Sequence, residues 1–137
     1  MTQYPIVSGE VISGNRIGRQ LGFPTANISL DETDGIRDGV YAVKVEIEKQ
    51  WKNGVANVGA RPTVTDNPAR LLEVYIFDFD REIYGKTIRV KLIGFIRPEQ
   101  KFAAVEALRR QIEQDKRQAE IILEKHTNHE NRRNTGL

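Results

Sequence analysis

Glu73 stands in the middle of Leu71-Leu72-Glu73-Val74-Tyr75-Ile76-Phe77-Asp78-Phe79, a run that is otherwise almost entirely apolar and aromatic. Burying an unpaired carboxylate is costly, so its presence there needs a reason. Strand alternation places Glu73 with Tyr75 and Phe77 on one face and Leu72, Val74 and Ile76 on the other. If the second set faces a core, Glu73 is either a solvated exterior residue or, where a ligand lies over that face, a general base. The run by itself leaves both readings open.

Two further features lie upstream. The segment from Gly14 to Asn27 holds three glycines, two arginines and no acidic residue. Glycines let backbone N–H groups approach an anion, and arginines add charge-assisted hydrogen bonds, so phosphate binding is one reading. The other is a hairpin loop whose glycines serve only turns. The segment matches neither the Walker pattern nor the dinucleotide fingerprint. Within it, Pro24-Thr25-Ala26-Asn27 sets a hydroxyl and a carboxamide oxygen two residues apart, on one side of an extended chain. Hard cations such as Mg²⁺ take oxygen ligands of this kind together with substrate phosphates. Equally, Thr and Asn oxygens often do no more than satisfy backbone groups of a turn. Asp78 and Asp80 read as a strand-end turn, and His126 and His129, a spaced pair without partners, are discounted as metal ligands.

The elements that must position these residues are mostly strands. Val40 to Glu48 alternates, with Tyr41, Val43, Val45 and Ile47 on one side and Lys44, Glu46 and Glu48 on the other. Thr87 to Phe95 repeats the pattern through Ile88, Val90 and Leu92, and Leu71 to Phe79 is a third strand. Ile6 to Ile12 and Trp51 to Val58 are shorter candidates. Asn53-Gly54 would ordinarily mark a hairpin turn. The apolar run continues through it, so the turn is placed at Glu48-Lys49-Gln50. After Pro98 the period becomes helical, through Phe102, Val105, Leu108, Ile112, Ala119 and Ile122, with Pro98 suited to a first helical turn. Residues 126 to 137 are polar and are expected to form a disordered tail behind a domain spanning residues 1 to 125. Five to six short strands in so small a chain suggest a closed barrel, which removes exposed edges, with one long C-terminal helix covering it.

Composition limits the rest. The chain has 137 residues, enough for one core, with 39% hydrophobic and 29% charged residues. A net charge of +2 gives no argument for nucleic acid or an anionic membrane. The absence of cysteine excludes disulfides, thiolate nucleophiles and cysteine-ligated metals. No secretory signal is visible at the N-terminus and no apolar run approaches the ~20 residues that span a bilayer. A soluble, cytoplasmic, monomeric domain is expected.

Several separate strings, in order, resemble the riboflavin kinase family. They are Gly18-Arg19-Gln20-Leu21-Gly22-Phe23-Pro24-Thr25-Ala26-Asn27, then Gly39-Val40-Tyr41, then Gly54-Val55-Ala56-Asn57-Val58-Gly59 with Arg61-Pro62-Thr63. Leu72 to Phe79, Ile83-Tyr84-Gly85, Phe95-Ile96-Arg97-Pro98-Glu99, Phe102 and Gln111-Ile112 with Asp115 continue the series. The likeness covers roughly Ile6 to Ile122.

The resemblance implies a mainly β fold: a six-stranded antiparallel Greek-key barrel with a long C-terminal α-helix. It implies transfer of the γ-phosphate of ATP to the 5′-hydroxyl of riboflavin, giving FMN. Thr25 and Asn27 would ligate Mg²⁺, and Glu73 would be the catalytic base. Gly14, Arg19, Thr25, Ile76, Asp78 and Tyr84 would lie on the ATP side, and Arg97, Gln100 and Phe102 on the flavin side. In many bacteria this module is half of a bifunctional enzyme whose other half makes FAD; that half is not seen here, and FAD synthesis is not expected. The alternative is a catalytically inactive flavin- or nucleotide-binding regulatory module, against which the intact Thr25, Asn27 and Glu73 argue. RNA binding would call for aromatics interleaved with the basic residues Lys44, Arg89 and Lys91, and none stands beside them.

Overall fold

A computed structural model describes residues 4–14, 22–30, 35–61 and 69–135. Strands β1 (Ile6–Gly14), β2 (Thr25–Ser29), β3 (Gly39–Ile47), β4 (Gln50–Arg61), β5 (Ala69–Ile76) and β6 (Thr87–Arg97) precede one helix, α1 (Val105–Thr135). The strands close into a barrel in the order β1-β2-β5-β4-β3-β6. Every ladder is antiparallel. The meander β3-β4-β5 with β6 returning beside β3 is the Greek-key arrangement, and closure leaves no free edge.

Alternation explains the interior. Val43 and Val45 from β3, Leu72 and Val74 from β5, and Ile88 and Val90 from β6 are completely or almost completely buried in one cluster inside the barrel. A second cluster lies outside it, where Val40, Ala42 and Val55 meet Phe77 and the helix residues Ala119 and Leu123. So β3 is buried on both faces over residues 40–43, one face by the barrel and the other by the helix.

The β3–β4 turn is Glu48-Lys49, both with positive φ (51° and 69°), the twist that a two-residue hairpin requires. Asn53-Gly54 stays inside β4, as the continuing apolar run indicated. Its glycine serves packing: a Cβ there would lie 2.6 Å from the Tyr75 carbonyl oxygen.

The structure departs from the sequence-based expectations in four places. Thr25–Ser29 is a strand, not part of a loop. β5 ends at Ile76, and Phe77-Asp78 turns, Asp78 with φ 54°. The helix starts at Val105 rather than near Pro98; residues 98–104 form an irregular strap ahead of it, with bends at 103 and 104. The residues expected as a disordered tail from 126 onward are helical as far as Thr135. Adding turns to an existing helix costs far less than nucleating one. Moreover His126 continues the face of Ala119 and Leu123 and is itself only 8% exposed.

Candidate active site

Strand register assembles the site. Asn27 pairs with Glu73, and Glu73 pairs with Asn57, across β2, β5 and β4. The neighbouring row is Thr25, Tyr75 and Val55. Residues directly opposite in antiparallel strands bring their Cβ atoms to about 4.5–5.5 Å, so each row is a line of touching side chains. Because Leu72, Val74 and Ile76 fill the barrel interior, Glu73 and Tyr75 point outward. The exterior position of Glu73 is nonetheless not open surface.

A cavity of about 580 Å³ covers it, walled by Phe23, Tyr75, Val55, Phe102, Leu108 and Ile112. Such a volume suits a small-molecule ligand, and most of the wall is apolar. Tyr75 meets Phe23 edge-on at 5.3 Å and Phe77 at 5.4 Å, giving one side an aromatic surface. The strap closes the other side. Arg97 makes a two-pronged ion pair with Asp115 of α1, Nε to Oδ1 at 2.9 Å and NH2 to Oδ2 at 2.7 Å. Gln111 donates to the same carboxylate at 3.0 Å, and Arg97 NH1 donates to the Pro98 carbonyl at 3.1 Å. Asp115 is 4% exposed, so this is a largely desolvated pair, which is favourable only when the geometry is good and the remaining positions are bonded. From the strap, Glu99 reaches back to β4, where Asn57 Nδ2 donates to Glu99 Oε2 at 2.8 Å.

A second cavity, of about 430 Å³, opens at the barrel end between Val11, Pro24, Ile76, Phe79 and Arg81. Thr25 lines both cavities. The hydroxyl of Thr25, at the meeting of the two cavities, and the carboxamide of Asn27, which is 8% exposed and lines neither, share the outward face of β2. These are neutral hard-oxygen donors. Among the described residues no group of three or more His, Cys, Asp or Glu could hold a metal ion. The donor set therefore fits a hard divalent cation whose charge is balanced mainly by a bound phosphate chain, rather than a metal held by protein alone.

Of the residues singled out from sequence, Glu73, Thr25, Arg97, Gln100 and Phe102 line the larger cavity, and Asn27 is paired beside Glu73 without lining it. The Arg97 guanidinium lies 5.8 Å from the Phe102 ring centre. Gly14 pairs with Ala26 at the end of β1, next to Thr25. Ile76 lines the smaller cavity. Asp78 and Tyr84, both exposed, line neither cavity; the Tyr84 backbone N–H instead donates to Glu82 Oε1 at 2.9 Å. Arg19 lies outside the described residues.

Asn57, Tyr75 and Glu99 join the site without having been singled out. Asn57 carried one local signal, a polar residue between Val55 and Gly59 on the outward positions of an apolar strand. The placement of Glu99 depends on the fold of the strap and had none.

Fold and site together define a small Greek-key barrel with two adjoining cavities and a carboxylate in the larger one. Comparison with known proteins makes this specific. The family model described as "Flavokinase: Riboflavin kinase" matches residues 1–123. The RNA-binding riboflavin kinase RibR of Bacillus subtilis (strain 168) is 43% identical over 80% of this chain and 47% of its own length. A bifunctional riboflavin kinase/FMN adenylyltransferase of Haemophilus influenzae is 47% identical over 80% of this chain and 35% of its own. The chain thus spans less than half the length of these curated relatives. The crystal structure of riboflavin kinase from Trypanosoma brucei superposes with a TM-score of 0.63 at 24% identity, over 90% of this chain and 82% of that one, and supports the fold. The chain belongs to the riboflavin kinase family.

Proposed function

We propose that this chain transfers the γ-phosphate of ATP to the 5′-hydroxyl of riboflavin, producing FMN and ADP. The observation that carries the reading is Glu73, held between Asn27 and Asn57 beside the threonine that two ligand cavities share. The aromatic and aliphatic cavity suits the isoalloxazine ring, with Arg97, Gln100 and Phe102 on its strap side. The cavity at the barrel end suits the nucleotide, with Gly14, Arg19, Ile76, Asp78 and Tyr84 assigned to that side.

Phosphoryl transfer asks the protein mainly to align donor and acceptor and to neutralise charge on the transferring oxygens. In this reading Glu73 accepts the proton of the attacking hydroxyl as the new O–P bond forms and ADP leaves. Thr25 and Asn27 would hold a divalent cation, Mg²⁺ in the first instance, which when bound supplies positive charge to the phosphate oxygens. Arg97 acts from behind, fixing the strap through Asp115 so that the flavin wall is in place before substrate arrives.

Among the described residues no helix is long and apolar enough to cross a membrane, and the reading places the reaction in the cytoplasm, where ATP is abundant. All the assigned residues come from one chain, so a monomer suffices. Adenylyltransferase and RNA-binding activities belong to the names of relatives of which this chain covers less than half, and neither is assigned here.

The test is chromatographic. Purified protein with riboflavin, ATP and Mg²⁺ should form FMN and ADP in equal amounts, and EDTA should stop both. Retained riboflavin binding with no FMN under these conditions would overturn the reading.

A further inference from the structure

The larger cavity has an aromatic and aliphatic wall and a set of polar and charged groups, and three of these are contiguous. Glu73 and Asn57 face each other in register, and Asn57 hands on to Glu99 through its 2.8 Å hydrogen bond. A flavin divides the same way, into a flat ring system and a chain of secondary alcohols ending in the hydroxyl to be phosphorylated. We infer that Glu99, oriented by Asn57 and seated on Gly59, is a specificity-determining residue that accepts a hydrogen bond from a secondary hydroxyl of that chain, and so sets the reach of the terminal hydroxyl to Glu73. The inference rests on the riboflavin kinase reading and deepens it.

Three observations carry it. First, the carboxylate lies directly against the β4 backbone: a Cβ at Gly59 would come within 2.1 Å of Glu99 Oε1 and 2.4 Å of Oε2. No side chain other than hydrogen at position 59 leaves Glu99 where it is. Second, the strap is pinned two residues earlier by the Arg97–Asp115 pair and the Arg97–Pro98 hydrogen bond, so the carboxylate is pre-organised rather than recruited. Third, the chemistry is one-directional. A carboxylate only accepts, so Asn57 must turn Nδ2 toward Glu99, and any further partner of Glu99 must be a donor. An alcohol supplies that donor.

A site that bonds a hydroxyl rejects an analogue lacking it more strongly than an apolar pocket could, because Glu99, exposed in the ligand-free protein, would be covered by the bound flavin with one hydrogen bond fewer. The experiment therefore compares riboflavin with side-chain deoxy analogues that keep the 5′-hydroxyl but lack one secondary hydroxyl each. The wild type should prefer riboflavin over one of these analogues by about 100-fold or more in kcat/KM. Glu99→Ala should lower kcat/KM for riboflavin while leaving that analogue nearly unchanged, collapsing the preference to within about tenfold. Gly59→Ala, which displaces the carboxylate without removing it, should give the same pattern.

An equal loss for all flavins in Glu99→Ala, or an undiminished preference, would overturn the inference. Equilibrium binding without ATP, read by quenching of flavin fluorescence, separates this from the activity itself. Glu99-dependent discrimination in binding with no FMN formed would keep the inference and refute the kinase reading. FMN formation with no Glu99-dependent discrimination would do the reverse.

Discussion

The two halves of helix α1 lie along the same barrel and behave differently. In its C-terminal half, Ala119 and Leu123 are 0% and 1% exposed and close against Val40 and Ala42 of β3, with no space between helix and sheet. In its N-terminal half, Leu108 and Ile112 are only half-buried and face the same sheet across the large cavity. Small and aliphatic residues on both sides let the C-terminal half seal. The N-terminal half instead borders the cavity together with the strap, which is fastened by Arg97 and Asp115 where the two halves join. Fold stability and ligand space are thus separated along one helix, and a single ion pair marks the boundary.

The largest effect on stability is expected at that boundary. Asp115→Ala leaves the Arg97 guanidinium, 18% exposed, without its carboxylate, and removal of one partner of a buried pair costs about 3–5 kcal/mol. The urea midpoint should fall accordingly, and flavin affinity should weaken with it. A loss under about 1 kcal/mol would mean that the pair does not fasten the strap.

Next comes the contrast between halves. Leu123→Ala should cost about 2–5 kcal/mol, as for other fully buried leucines. Leu108→Ala, on the cavity side, should cost less than about 1 kcal/mol in the absence of ligand. Equal costs in denaturant titrations would erase the distinction between a sealed and an open half.

A smaller effect concerns pH at the sealed end. Burial pushes the His126 imidazole below its usual 6.5, with Glu130 opposing and Lys44, Lys91 and His129 reinforcing the shift. Its ring stands edge-on to Tyr4 at 5.1 Å, and Nδ1 has no hydrogen-bond partner among the described residues. As pH falls below about 6.5 the unfolded chain takes up a proton that the folded chain resists, so stability declines until the lower folded value is passed. Melting temperatures at pH 7.5 and 5.5 should therefore differ more for the wild type than for His126→Phe.

Much of this was legible in the residues themselves. Period-two alternation marked β3 and β6 because their inward residues are branched and their outward ones charged. The apolar stretch through Asn53-Gly54 correctly outweighed a turn signal, since Gly54 is needed for a close approach to Tyr75. What escaped was information that is not local. β2 is five residues long and mixes polar with apolar positions, so its strand character comes from being paired on both sides. The helix start escaped because residues 98–104 form an irregular strap whose bonds, Arg97 to Asp115 and Glu99 to Asn57, are made across the fold. In the site, Thr25, Asn27 and Glu73 stood out by type, but alternation could only put Glu73 outside. It took the register of three strands to show that outside here means inside a cavity. Asn57 and Glu99 are 42 residues apart, and nothing near either one announces the other.

The most direct measurement is single-turnover FMN formation by Glu73→Gln beside the wild type, with riboflavin binding measured on both. A residue that takes the proton of the attacking hydroxyl should cost about 10²–10⁴-fold in rate when replaced by its isostere, with flavin affinity little changed. FMN formed by the variant at the wild-type rate would contradict the placement of the chemistry at the junction of the two cavities.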